Sequence, residues 1–128
     1  MSGETVLIVD DQPVNLKLAR VVLEAAGYVV RMAVDADDAL AQLASCEPQL
    51  ILMDVQLPGM DGLELTRRLK RNPATRDIPV VALTAYAMAG DEAKARAAGC
   101  VGYVAKPIDT RRLADEVAAH LQVAKDAR

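Results

Sequence analysis

Four short apolar runs, "VLIV" (6–9), "LILM" (50–53), "VVAL" (80–83) and "GYVA" (102–105), constrain this chain most strongly. None alternates with polar residues. That is how strands of a parallel sheet read when helices cover both faces. A fifth segment, "YVVRMA" (28–33), is mixed and suits a strand near a sheet edge. Stretches with helical spacing lie between the runs. Leu18, Ala19, Val22, Leu23 and Ala26 form one apolar face, closed by Gly27. Ala36, Ala39, Leu40 and Leu43 form a second, with Asp35 as N-cap. Asp61 and Glu64 resemble a capping box for a third, which carries Leu65 and Leu69. An alanine-rich fourth helix ends near Gly99, and Leu113, Val117 and Leu121 mark a fifth with Asp109 as its cap. Strand and helix therefore alternate five times. This order predicts an α/β fold, a doubly wound five-stranded parallel sheet with right-handed crossovers and helices on both faces. "NPATRDIP" (72–79) reads as a loop inside one domain spanning 1–128, with no effector domain expected.

The acids at the strand ends call for an explanation. Asp10 and Asp11 follow the first run, and Asp54 follows "LILM". Thr84 ends "VVAL", and Lys106 ends "GYVA". Open parallel sheets bind ligands beyond the carboxyl ends of their strands, so all five polar residues converge on one edge. Clustered carboxylates repel one another and lose solvation, and a divalent cation relieves both costs. Oxygen ligands without His or Cys favour Mg²⁺ over Zn²⁺. A metal with one lysine and one hydroxyl is a receptor for a phosphoryl group. Each residue also has an ordinary reading. Asp10 and Asp11 open a loop, Asp54 begins a turn, Thr84 suits a strand, and Lys106 suits a surface. Five matched residues at four strand ends together favour the site.

Composition excludes several classes. A net charge of −3 and pI near 5.1 give no reason to expect nucleic acid. No apolar run reaches the length of a membrane span, and no signal-peptide pattern opens the chain, so a cytoplasmic location is expected. Cys46 and Cys100 form no CxxC pair and read as two reduced thiols. His120 has no ligand set around it and reads as a solvated surface residue.

The pieces "VLIVDD", "LILMDVQLPGMDGLEL", "IPVVALTA" and "GYVAKPI" together resemble the receiver domain of two-component response regulators, over nearly the whole chain. "LTAYAMAGDE" and "DDQPVNLKL" are most similar to single-domain cell-division regulators and to receivers of hybrid kinases. The resemblance implies a flavodoxin-like strand order, 2-1-3-4-5. It implies that Asp54 accepts a phosphoryl group from a histidine kinase or histidine phosphotransfer protein. Asp11 would bind Mg²⁺ directly and Asp10 through water, with the backbone carbonyl of Gln56 completing the protein's share. Thr84 and Lys106 would hold phosphoryl oxygens, and Lys106–Pro107 would be a cis peptide. Thr84 and Tyr103 would form the switch. The readout face for a downstream protein would lie around the fourth helix, fifth strand and fifth helix, including Met88 and Tyr103. Gln56 and Tyr86 would influence how fast the phosphoryl group is lost.

Other readings compete. A haloacid-dehalogenase-type phosphatase also uses an Asp nucleophile and Mg²⁺, but it usually has an acid two residues later, where this chain has Gln56. No GxxxxGK[ST] motif supports a nucleotide switch. A degenerate receiver used only for docking would not need all five polar residues. One further expectation comes from the first helix, about Pro13 to Ala26, which is apolar over more than the ~100° that a core needs. Lys17, Arg20 and Glu24 mark its solvated side. Val14, Leu18 and Val21 form a stripe suited to docking a helix of the phosphodonor, the alternative being scattered surface valines.

Overall fold

The computed structural model describes residues 3–85 and 89–126. The elements run β1 (Thr5–Val9), α1 (Pro13–Ala25), β2 (Val29–Ala33), α2 (Ala36–Leu43), β3 (Leu50–Asp54), α3 (Gly62–Arg71), β4 (Val80–Thr84), α4 (Ala89–Ala98), β5 (Gly102–Ala105) and α5 (Leu113–Asp126). The strands form one parallel sheet in the order β2-β1-β3-β4-β5. The expected fold class and strand order are both found. Among the described residues, no helix is long and apolar enough to cross a membrane.

Successive strand residues point to opposite faces, and each face has its own core. Val6, Ile8, Leu50, Leu52, Val81 and Leu83 pack under α1 and α5. Leu7, Val9, Ile51, Met53, Val80 and Ala82 pack under α2, α3 and α4. Both faces are covered, so the central strands show no alternation in sequence. The edge strand β2 is mixed because Val29 and Arg31 face solvent.

The helix boundaries follow local chemistry. Asp35 caps α2 by accepting from the Asp38 amide at 2.8 Å, a bond worth about 1 kcal/mol. Asp61 caps α3 by accepting from the Leu63 and Glu64 amides. Glu64 does not complete a capping box; its carboxylate pairs with Arg67, Arg68 and Arg71 instead. Gly27 and Gly99 follow α1 and α4 at φ +99° and +114°, where L side chains are strained. Asp109 accepts from the Arg111 amide and opens the turn before α5, which begins four residues later.

Two expected core residues lie elsewhere. The buried line of α1 is Leu16, Ala19 and Leu23, and Leu18 is exposed. In α2, Ala36 and Ala39 are buried while Leu40 is exposed. In both helices the rest of the expected face packs against the core, and only Leu18 and Leu40 turn out to solvent. His120 is also not fully solvated. It packs on β5 against Gly102, where a Cβ would collide with its imidazole Cε1. Burial lowers its pKa below the ordinary value.

Candidate functional site

The parallel strands all end on one side, bringing together residues far apart in sequence. Asp10 follows β1 and is fully buried, and Asp54 ends β3 at 2% exposure. Asp11 faces solvent beside them, and carboxylate oxygens of the three lie within 4.8 Å of one another. Lys106 follows β5 and reaches between the two buried acids. Its Nζ is 3.0 Å from Asp54 Oδ2 and 3.4 Å from Asp10 Oδ2.

Each carboxylate is aimed by its own loop. Asp10 Oδ1 accepts from the Gln12 amide at 2.9 Å, and Oδ2 accepts from Asn15 Nδ2 at 3.3 Å. Asp54 Oδ1 accepts from the Gln56 amide at 3.0 Å. Burial is the largest influence on Asp54 and raises its pKa. The Gln56 amide and Lys106 oppose this, and Asp10 adds to it. The buried carboxylate is therefore under-compensated by one shared ammonium.

That imbalance tests whether a metal fits. The group offers only oxygen ligands and holds three carboxylates to one lysine, so it could hold a hard divalent cation. The Gln56 amide bond to Asp54 folds the chain back at this point, so the Gln56 backbone lies at the acidic cluster.

Thr84 is buried at the end of β4. It lines a cavity of about 210 Å³ shared with Gln56, Asp61, Asp91 and Lys94. The Lys106 amide donates to the Thr84 carbonyl at 2.8 Å, which ties the ends of β4 and β5 together. Lys106–Pro107 is cis. Tyr103 is half-buried and packs against the core face under α2, α3 and α4. It also lines an open groove with Lys106, Pro107, Asp109, Arg112 and Glu116, apart from the residues lining the Thr84 cavity. Tyr86 and Met88 lie outside the described residues.

On α1, Val14 is 75% exposed, Leu18 36% and Val21 54%. All three stand on the outer surface of the helix, so Leu18 joins the stripe and leaves the core.

Sequence reading passed over two supporting residues. Asn15 holds the second oxygen of Asp10, and its signal was an amide one turn into α1 at the ligand edge. Gly62 starts α3 directly against the Asp54 backbone: a Cβ would overlap the carbonyl oxygen and lie 2.8 Å from the carbonyl carbon. Its signal was a second glycine after the turn in "LPGMDGLEL".

Known proteins resemble this chain in sequence and fold. The model of the response regulator receiver domain matches residues 6–118. The polar-differentiation response regulator DivK of Brucella anthropi is 42% identical over 118 residues, covering 92% of this chain and 96% of that protein. A crystal structure of a putative response regulator from Chloroflexus aurantiacus superposes with a TM-score of 0.89 at 35% identity, covering 94% of this chain and 99% of that one. The signal receiver domain of a histidine kinase from Syntrophus aciditrophicus gives 0.84 at 32% identity, covering 94% and 91%.

Proposed function

The chain belongs to the response regulator receiver domain family, and from that membership we propose that it is a phosphorylation-operated signalling switch with Asp54 as phosphoacceptor. The observation that carries this reading is the buried Asp54 carboxylate, held by Lys106 at 3.0 Å and crowded by Asp10 and Asp11. The donor is a histidine kinase or histidine phosphotransfer protein. An Asp54 carboxylate oxygen attacks phosphorus, the phosphohistidine P–N bond breaks, and the donor imidazole leaves with the bonding pair. The product is an acyl phosphate.

Asp10, Asp11, Asp54 and the Gln56 carbonyl would hold Mg²⁺. Bound there, it would neutralise charge on the carboxylates and phosphoryl oxygens. The chain's own groups do the positioning. The Gln56 amide fixes one oxygen of Asp54, and the other faces the Lys106 ammonium. Lys106 supplies an ammonium for a phosphoryl oxygen, and the Thr84 hydroxyl supplies a hydrogen-bond donor. Phosphoryl transfer needs mainly alignment and charge neutralisation, and these groups suit both.

Thr84 and Tyr103 form the switch in this reading, and the surface formed by α4, β5 and α5 meets the downstream protein. The exposed stripe of Val14, Leu18 and Val21 receives a helix of the phosphodonor. A cytoplasmic location goes with such partners.

Incubation with acetyl phosphate and Mg²⁺ tests the reading. The parent protein should gain one phosphoryl group that hydroxylamine removes, and Asp54→Asn should gain none. Equal labelling of Asp54→Asn would overturn the assignment.

A further inference from the structure

Charge is unevenly spread over this chain. Residues 67–76 contain Arg67, Arg68, Lys70, Arg71 and Arg76 and no acid. With those five positive charges set aside, the rest of a chain of net charge −3 carries −8. The helical spacing puts Arg67, Arg68 and Arg71 on one side of α3 together with Glu64. Glu64 lies 3.2 Å from Arg67, 3.6 Å from Arg68 and 3.5 Å from Arg71. One carboxylate thus gathers three guanidinium groups into a fan. It cannot neutralise them, and their side chains remain 49%, 54% and 69% exposed. Lys70 points elsewhere. Its ammonium donates to the Ile78 carbonyl at 2.6 Å and the Arg76 carbonyl at 3.1 Å, closing the loop before β4.

We propose that the exposed arginine face of α3 is a docking surface for an acidic segment of a partner protein. Charge complementarity selects the class of occupant. Guanidinium groups pair with carboxylates through two parallel hydrogen bonds, which lysine cannot reproduce. Arg67 or Arg68 and Arg71 are one helical turn apart, matching carboxylates at the same spacing on a docked helix. A nucleic acid fits less well. The field of the remaining surface is negative and repels a long polyanion. The chain has no Phe or Trp, and Tyr28 is buried, so little is available to stack a base. An extended anionic membrane meets the same repulsion.

The location gives this surface a distinct use. α3 and α1 cover opposite faces of the sheet. A partner on α3 leaves the Val14–Leu18–Val21 stripe free, so a phosphodonor and an acidic partner can bind together. α3 also begins at Gly62, against the Asp54 backbone, so this partner would sit on a helix that abuts the proposed phosphoacceptor.

The experiment measures fluorescence anisotropy of a labelled helical peptide with Glu at i, i+4 spacing. The full chain should bind it at about 50 mM salt and much more weakly at about 300 mM. Combined Arg67→Ala, Arg68→Ala and Arg71→Ala should weaken binding more than about tenfold. The same change at Arg111 and Arg112, an exposed pair ahead of α5, should weaken it less than about twofold. Labelling of the triple variant by acetyl phosphate at the parent's rate would show that fold and site are intact. Absence of peptide binding by the parent overturns the proposal, as does unchanged binding by the triple variant. A duplex oligonucleotide or phosphatidylglycerol vesicles that bind more tightly than the peptide, through the same arginines, would also overturn it.

Discussion

Gly62→Ala should injure both the fold and the site, although it adds only one methyl group. The residue is the first of α3, and its φ is not positive, so the cost is steric. A Cβ would overlap the Asp54 carbonyl oxygen and stand 2.8 Å from the carbonyl carbon and 3.0 Å from Val55 Cα. Ordinary carbon contacts begin near 3.4 Å, so helix and strand end must separate by about 0.6 Å or more. Every atom in the way is backbone and cannot swing aside. Overpacking of this kind costs about 1–3 kcal/mol. The separation also strains the bond from the Gly62 amide to the Val55 carbonyl, 3.1 Å long, whose loss adds about 1 kcal/mol. The helical preference of Ala returns at most about 1 kcal/mol. The net is a destabilisation of about 2 kcal/mol, or a thermal midpoint lower by about 6–10 °C for a domain of this size. Displacing Asp54 against the Gln56 amide and Lys106 should also slow labelling by acetyl phosphate by about tenfold or more. Gly90→Ala is the matched control. Gly90 lies in α4, exposed, with nothing within 4 Å of an added Cβ, so stability should be unchanged or rise by up to about 1 kcal/mol. Urea unfolding and a labelling time course read both effects. A Gly62→Ala protein as stable as its parent and labelled as fast would refute the reasoning.

Mg²⁺ should raise the thermal midpoint of the parent, by the equivalent of about 1.4 kcal/mol at ten times its dissociation constant. The rise should largely vanish in Asp11→Ala, and a parent indifferent to Mg²⁺ would count against the metal site. His120 predicts a pH effect, because burial lowers its folded-state pKa. The unfolded chain then binds the proton more readily, so stability falls as pH drops below about 6.5 and through the lowered value. His120→Gln should flatten the slope in that window, as followed by urea midpoints; an unchanged slope would remove His120 as its source. Val14→Lys with Val21→Lys should slow transfer from the partner kinase while labelling by acetyl phosphate stays normal. Equal loss with both donors would indicate damage to the fold or site, and no loss with either would place the partner elsewhere.

Much of this fold was legible because both faces of the sheet are covered. A strand such as Leu50–Asp54 has no solvent side, so its apolar run announces its position. Asp35, Gly27 and Gly99 were legible because caps depend on neighbours within a few residues. The misses share the opposite cause. Periodicity finds an apolar face, but the way a helix lies on its sheet decides which residues at the margin of that face are covered. Leu18 and Leu40 were therefore assigned to the core, and Leu16 was passed over. His120 depends on Gly102, a partner on another element, and nothing near His120 in sequence reports the slot that Gly102 leaves. Glu64 was read from a four-residue motif, while Arg67, Arg68 and Arg71 compete for its carboxylate. In the site, strand ends placed Asp10, Asp11, Asp54 and Lys106 together. Topology does not say how each is aimed, so Asn15 and Gly62 escaped notice.

The resting contacts of Lys106 bear on how charge at Asp54 can reach a distant face under the proposed function. At rest its ammonium is shared between Asp54 and Asp10, at 3.0 and 3.4 Å. A phosphoryl group on Asp54 brings two or more charge-bearing oxygens into competition with Asp10 for that one cation. Such a pair is only modestly exposed, with Lys106 at 17%, so water cannot simply replace what Asp10 loses. Lys106 is also fixed at its main chain, where its amide donates to the Thr84 carbonyl. Any rearrangement of its side chain would therefore start from a backbone tied to Thr84, whose hydroxyl would bind the same phosphoryl group in this reading. Tyr103 lies three residues earlier on the edge strand β5, which has a hydrogen-bonded neighbour, β4, on one side only. An edge strand resists displacement less than a central one. Under the proposed function, a charge event at the end of β3 would thus reach the surface formed by α4, β5 and α5 through the ends of β4 and β5 and one lysine.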